Sequence, residues 1–283
     1  MEGDKRIIAK GTAVYTETKL KITILGCGTS TGVPVLGCAC SVCTSEDPRN
    51  QRTRSSLMLM WNNRVVLVDT GPDLRAQCLR EKVKRVDGVI YTHTHADHVH
   101  GIDDLRPFNA ITGAEIGIYG ARDTVSRLEH TFAYAFKWND VDGFCPRLQS
   151  NIIDDAFDLF GLRIVPVELK HGHGTVLGYR FGGLAYLTDC SDIPAAAAAK
   201  LLNLEVLIID GLRFRPHVSH LTVDAAIEIG RELGAKRIIL THLSHDVDYT
   251  HHSQYLPPGV ELAYDGMHLS LKVALEDVST AQR

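Results

Sequence analysis

The stretch YTHTHADHVHG, residues 91–101, places four histidines and one aspartate within eleven residues. The apolar run VDGVIY leads into it. Each imidazole is a neutral nitrogen ligand near pH 7 and also a group that titrates there. Such a cluster is either a solvated polar loop or part of a metal site. His93 and His95 are two apart, so in an extended segment they point the same way. Asp97 and His98 follow at a predicted turn into a short helix and face a second position. A site of this kind needs further ligands from distant segments, which constrains the whole fold.

Those ligands have candidates, each at the end of a predicted strand: Asp69 in LVDTGP, His171 in ELKHGHG, Asp189 in YLTDCS and His242 in ILTHLSH. Taken singly, a histidine after a strand is more often a loop residue, and an aspartate before Thr-Gly a turn residue. Their joint appearance favours the metal reading. The seven cysteines are an odd number in a chain too long to need a disulfide framework. Three crowd together as Cys38-x-Cys40-x2-Cys43, a thiolate spacing that suits a structural zinc. A closed zinc site needs a fourth ligand, and His245 stands three residues after His242. The plainer alternative is three packed free thiols.

The rest of the chain reads as layered α/β. KITILGC is strand-like, and SSLMLMW and RVVLVDT form a hairpin about Asn62-Asn63. VDGVIYT, EIGIYG, LRIVPVEL, VLGYRF, LAYLTD, EVLIIDG and AKRIILTH add strands. PDLRAQCLREKV, IPAAAAAKLLN and HLTVDAAIEIGRELG are predicted helices. Residues 121–160 carry no clear pattern beyond a helical reading of SRLEHTFAYAF. Residues 1–20 read as a polar extension, loose or an early edge hairpin, and residues 21–283 as one domain with helices outside two sheets. With 45% hydrophobic residues and a net charge of −4, the chain can bury a core and has no nucleic-acid footprint over its whole surface. No apolar run is long enough for a membrane span, and no signal pattern opens the sequence, so a cytoplasmic location is expected.

HTHADH resembles the HxHxDH signature of the metallo-β-lactamase superfamily, whose fold is an αββα sandwich. The resemblance runs from KITILGCGTS to AYDGMHLSL. It implies that His93, His95 and His171 hold one metal, that Asp97, His98 and His242 hold a second, and that Asp189 bridges them. It makes Asp69 an orienting partner of the ligand loop. His173 competes with His171 for the third position. The redox di-iron branch carries a Glu where this chain has His95, which points away from that branch. GCGTSTGVPVLGCACSVC, DPRNQRTRSS, HTHADHVHGIDDLRPFN and HLSH together resemble the PhnP-like family. Its named member opens 5-phosphoribosyl 1,2-cyclic phosphate.

The implied activity is a phosphodiesterase acting on a small cyclic phosphate. It implies two divalent ions, zinc or manganese, and a separate structural zinc at Cys38, Cys40, Cys43 and His245. Attack by a bridging hydroxide would be assisted by Asp97, which orients it or accepts a proton. His220 matches a family histidine that protonates the leaving oxygen; the alternative is an ordinary residue at a helix start. His217 is the weaker candidate for that role. Arg106 either contacts phosphate or pairs with Asp103 or Asp104, and Arg52 and Arg54 share the same ambiguity. His100, His130, His251, His252 and His268 read as ordinary. Two other readings remain: a non-hydrolytic cofactor-handling protein like PqqB, and a nuclease like tRNase Z. The second is disfavoured, because neither a long Gly/Pro-rich arm nor a basic run is present. The expected partner is a small phosphodiester, not nucleic acid or membrane, and a homodimer is compatible with this fold.

Overall fold

The computed structural model describes residues 7–10, 13–137 and 145–276. Its strands follow one path of neighbours that divides into two halves, joined by the single pairing of Leu275 with Leu162. In the first half Met267–Glu276, Ala13–Gly26, Ser56–Trp61, Arg64–Val68, Gly88–Ile90, Ile116–Gly120 and Leu148–Ile152 lie side by side. In the second, Leu162–His171, Gly174–Phe181, Leu184–Leu187, Val206–Asp210, Ile238–Thr241 and Val260–Leu262 do the same.

Alternation along the strands explains how the halves stack. Leu57, Leu59, Val66 and Val68 share one core with Ile164, Phe181, Tyr186 and Ile208 of the other half. The residues between them point outward: Met58, Val65 and Leu67 pack with Leu74 and Phe108, while Leu207 and Ile209 pack with Val223 and Ile227. Two half-sheets therefore meet face to face with helices on both outer faces, the αββα sandwich expected from the resemblance. Val206–Asp210 is buried at every position because both of its faces are covered.

The outer strands of each half are parallel: Arg64–Val68 to Gly88–Ile90 to Ile116–Gly120, and Leu184–Leu187 to Val206–Asp210 to Ile238–Thr241. In open parallel sheets, ligands collect beyond the carboxyl ends of the strands. Asp69, His93, Asp189, Asp210 and His242 all stand at or just past such ends.

The strand read from residue 21 starts earlier. The strand begins at Ala13, pairs with Met267–Glu276 from Tyr15 through Ile24, and carries Ile7–Lys10 as a hairpin partner. TETKLK has too few apolar residues to read as strand by hydropathy, yet its backbone belongs to a long ribbon. In the unreadable middle, helices form at Arg122–Thr131 and Ala133–Phe136 and strands at Leu148–Ile152 and Phe157–Leu159. Residues 138–144 of that stretch lie outside the described residues. The Ala-rich segment makes one short helix, Ala195–Ala198, followed by a 3-10 turn. Val223–Glu232 starts on Thr222, whose hydroxyl accepts from the Ala225 N–H at 3.1 Å.

Candidate metal centre

The strand ends turn sharply to aim their side chains. Asp69, Asp189 and His242 adopt left-handed backbone, with φ of 63°, 53° and 58°. Each such residue costs on the order of 1 kcal/mol, a strain that clusters where geometry serves a site. The ligand loop is zipped against the Asp69 turn: the Thr70 N–H donates to His98 O and the Gly101 N–H to Thr70 O, both at 2.8 Å. Gly71 and Gly101 permit this approach, because a Cβ on Gly71 would fall on the Asp97 carbonyl oxygen and one on Gly101 on the Gly71 carbonyl oxygen.

Two ligand groups result. His93, His95, His171 and Asp189 form one, and Asp97, His98, Asp189 and His242 the other, each with its ligand atoms within 4.8 Å of one another. Asp189 belongs to both. Its Oδ2 lies 3.8 Å from His93 Nε2 and 4.0 Å from His171 Nε2, while its Oδ1 lies 3.1 Å from His98 Nε2 and 3.4 Å from His242 Nε2. Asp97 Oδ2 completes the second group, 3.2 Å from His98 Nε2 and 3.8 Å from His242 Nε2. Metal–ligand bonds of about 2.0–2.2 Å put neighbouring ligand atoms roughly 3–4 Å apart. The residues also fit divalent cations by satisfaction: His93 Nε2, His98 Nε2 and His242 Nε2 are buried and have no hydrogen-bond partner.

The charge balance points the same way. Burial holds the His93 and His171 imidazoles below their ordinary range, leaving neutral rings with free lone pairs. Burial opposes ionisation of Asp189, yet His242 and His98 beside it keep the carboxyl well below its usual value. Asp97 is likewise held low against burial by His242 and His98. Conversely, His98 and His242 are raised against burial, chiefly by Asp189. Protons on these rings occupy the role that a cation takes over.

Outer partners fix the ring orientations. Asp69, wholly buried, accepts from the Thr92 N–H and the Thr92 hydroxyl at 2.8 Å and from His98 Nδ1 at 2.7 Å. This leaves His98 Nε2 for the centre. Thr92 Oγ1 in turn lies 2.9 Å from His93 Nδ1, and Ser219 O accepts from His171 Nδ1 at 2.8 Å. His171 is therefore the residue brought into the centre, and His173 stands outside both groups.

His220 sits beside the centre, its ring stacked on His242 at 4.7 Å and 14°. Its Nδ1 is 2.6 Å from Asp210 Oδ2, a fully buried carboxylate that also accepts from the Cys190 and Leu212 N–H groups. Asp210 was not singled out from the sequence. The signal was available: IIDGL repeats the pattern of LVDTG and LTDCS, an apolar strand ending in aspartate.

Cys38, Cys40 and Cys43 converge on His245, with Sγ atoms 3.3, 3.6 and 3.4 Å from His245 Nδ1. Zinc bonds of about 2.3 Å to sulfur and 2.0 Å to nitrogen span such a separation. The Cys43 N–H donates to Cys40 Sγ and pulls that thiol down, while burial pushes the Cys43 thiol up.

The arginines divide. Arg52 is buried and donates to Ser244 O at 2.9 Å, Val247 O at 2.7 Å and Asn50 Oδ1 at 2.9 Å, a clamp between the cysteine loop and the turn carrying His245. Arg54 pairs with both oxygens of Asp73 at 3.1 Å. Arg106 lies 3.4 Å from Asp103, one of the two carboxylates offered as its alternative. His100 packs edge-on against Phe132 and is not in either ligand group.

This fold and its two carboxylate-linked histidine groups define a domain equipped to hold metal ions. The family model described as a beta-lactamase superfamily domain matches residues 64–243. The crystal structure of a diphosphatase from the PhnP family is 41% identical, with a TM-score of 0.86 over 92% of this chain and 100% of that one. The chain belongs to the beta-lactamase superfamily and, within it, to the PhnP family. An octanoyltransferase of Porphyromonas gingivalis is 37% identical over 253 residues, 88% of this chain but 51% of that protein, so the chain spans about half of that relative's length. Zinc-bound PqqB from Methylobacterium extorquens shares the fold at 18% identity, with a TM-score of 0.72 over 89% of this chain and 100% of that one. Among the described residues no helix is long and apolar enough to cross a membrane.

Proposed function

We propose that the protein hydrolyses a phosphodiester of a small molecule, with a small cyclic phosphate as the leading candidate, at a two-ion centre. The observation that carries this reading is Asp189, whose two oxygens face two separate histidine-rich groups. Divalent ions, zinc or manganese, held by those groups would acidify water and neutralise charge on a phosphoryl oxygen. Asp97, itself a member of the second group and buried there, is positioned to orient the attacking water or accept its proton. Asp210 binds His220 Nδ1 and leaves Nε2 to carry a proton to the leaving oxygen, an assistance worth about 10²–10⁴-fold in rate. The cysteine–histidine group would hold a structural zinc.

A second reading is cleavage of a diphosphate bond, favoured by the PhnP-family diphosphatase at 41% identity. Both reactions displace an oxygen leaving group from phosphorus and use the same residues. The octanoyltransferase's name is not carried over, because about half of that protein lies beyond the match.

Metal-analysed protein incubated with bis-p-nitrophenyl phosphate, a panel of 2′,3′- and 1,2-cyclic phosphates and a dinucleoside diphosphate tests the reading. Turnover of at least one, lost in Asp97→Ala by about 10² or more, supports it. No turnover with two ions bound beside the structural zinc would redirect the search to carboxylic esters, thioesters and lactams.

A further inference from the structure

The segment 213–221 forms a loop over one side of the centre, and the reaction above uses only His220 from it. Its base is closed by Leu212 N–H donating to Leu221 O at 3.1 Å and Val223 N–H donating to Arg213 O at 3.0 Å. Its tip is pinned by Arg215, 3.0 Å from Asp246. Ser219 O accepts from the ligand His171. The loop is thus tied to the site at one end and to the turn after His245 at the other.

His217 rides on this frame. Its ring is 5.1 Å from His220, which in turn stacks on His242, so it is the second ring outward from a ligand. Its Nδ1 accepts from the Ser219 N–H at 3.3 Å and the Ser219 hydroxyl at 3.2 Å. A backbone N–H can only donate, so Nδ1 carries no proton and Nε2 does. The exposed Nε2–H therefore presents a donor to solvent. Protonating Nδ1 would oppose the Ser219 N–H, so this ring is set to bind rather than to shuttle protons, unlike His220 with its buried carboxylate. Arg213, on the same loop, has its guanidinium held by Arg215 O and, beside His217, Pro216 O, both at 3.2 Å. An N–H donor backed by a fixed cation suits an oxyanion.

We propose that His217 is a substrate-binding residue that takes the leaving-group phosphate of a diphosphate substrate through Nε2–H, making it a determinant of diphosphate over simple diester. This rests on the phosphohydrolase reading and deepens its second form.

The metal-loaded protein and its His217→Ala and His217→Gln variants are titrated with inorganic phosphate and with methylenediphosphonate by calorimetry. Turnover of P1,P2-diadenosine diphosphate is compared with that of bis-p-nitrophenyl phosphate. The glutamine amide can restore a donor near the Nε2 position. The expected result is that His217→Ala loses about tenfold more affinity for methylenediphosphonate than for phosphate. Its kcat/KM should fall about tenfold more on the dinucleotide than on the aryl diester, mainly through KM, and His217→Gln should recover part of both. Equal losses on both ligands, no loss, or no recovery in the glutamine variant would overturn the proposal. If the unmodified protein turned over neither of these nor any cyclic phosphate, the phosphohydrolase reading would fail, while the two titrations would still decide whether His217 discriminates the second phosphate.

Discussion

Asp69 never reaches the centre, yet it organises it. A single buried carboxylate holds the Thr92 backbone, the Thr92 hydroxyl and His98 Nδ1, and through Thr92 reaches His93 as well. Asn tolerates the left-handed backbone found at this position, so Asp69→Asn removes charge without adding strain. The expected outcome is a 10–100-fold loss of metal affinity, read by competition with a chelator, with little change in fold by circular dichroism. Residues of this kind were legible because each breaks the pattern of its strand: a polar group closing an apolar run. Asp210 obeys the same rule but was passed over, since nothing local pairs it with His220, ten residues on across a loop. Spacing to Gly178 favours His171 over His173, and it is His171 that lies with the first group.

At the scale of elements, the ligand loop depends on contacts that leave no room. The Asp69 turn and the loop from Asp97 to Gly101 touch through backbone, with Gly71 and Gly101 at the contact. Gly71→Ala should destabilise the protein by roughly 1–3 kcal/mol and loosen the second ligand group together, seen as a lower melting temperature and reduced metal content in the same variant. A melting temperature equal to the parent's would remove the close-approach argument. The cysteine loop makes a separate wager. Arg52 and His245 join it to the turn that follows His242. Cys38→Ser should therefore lower zinc content by one ion per chain and lower the melting temperature, at roughly 2–4 °C per kcal/mol lost in a domain of this size. Glycines 71 and 101 look unremarkable in sequence, because close approach between segments far apart in the chain has no local signature. By contrast, Cys38-x-Cys40-x2-Cys43 was legible, since thiolates at that spacing have little use other than a metal.

Across the whole molecule, the two parallel half-sheets deliver their carboxyl ends to one seam. Asp69 and the 93–98 loop come from the first half and Asp189, Asp210 and His242 from the second. The strands of that seam were legible as apolar runs that close on a polar residue, whereas much of the long ribbon at the middle of the strand path was not. KITILG marked only the second half of Ala13–Gly26; its first half and Met267–Glu276 are joined by backbone pairing and are rich in polar residues, so hydropathy does not mark them. The same seam defines the central claim, that Asp189 is shared by two ions while a third sits apart on cysteines. The measurement that tests it most directly is elemental analysis by inductively coupled plasma mass spectrometry, run on the protein as purified and again after Asp189→Ala. The expected result is three ions per chain, falling to one zinc in the variant. One ion per chain in the unaltered protein, even after incubation with excess zinc or manganese, would contradict it.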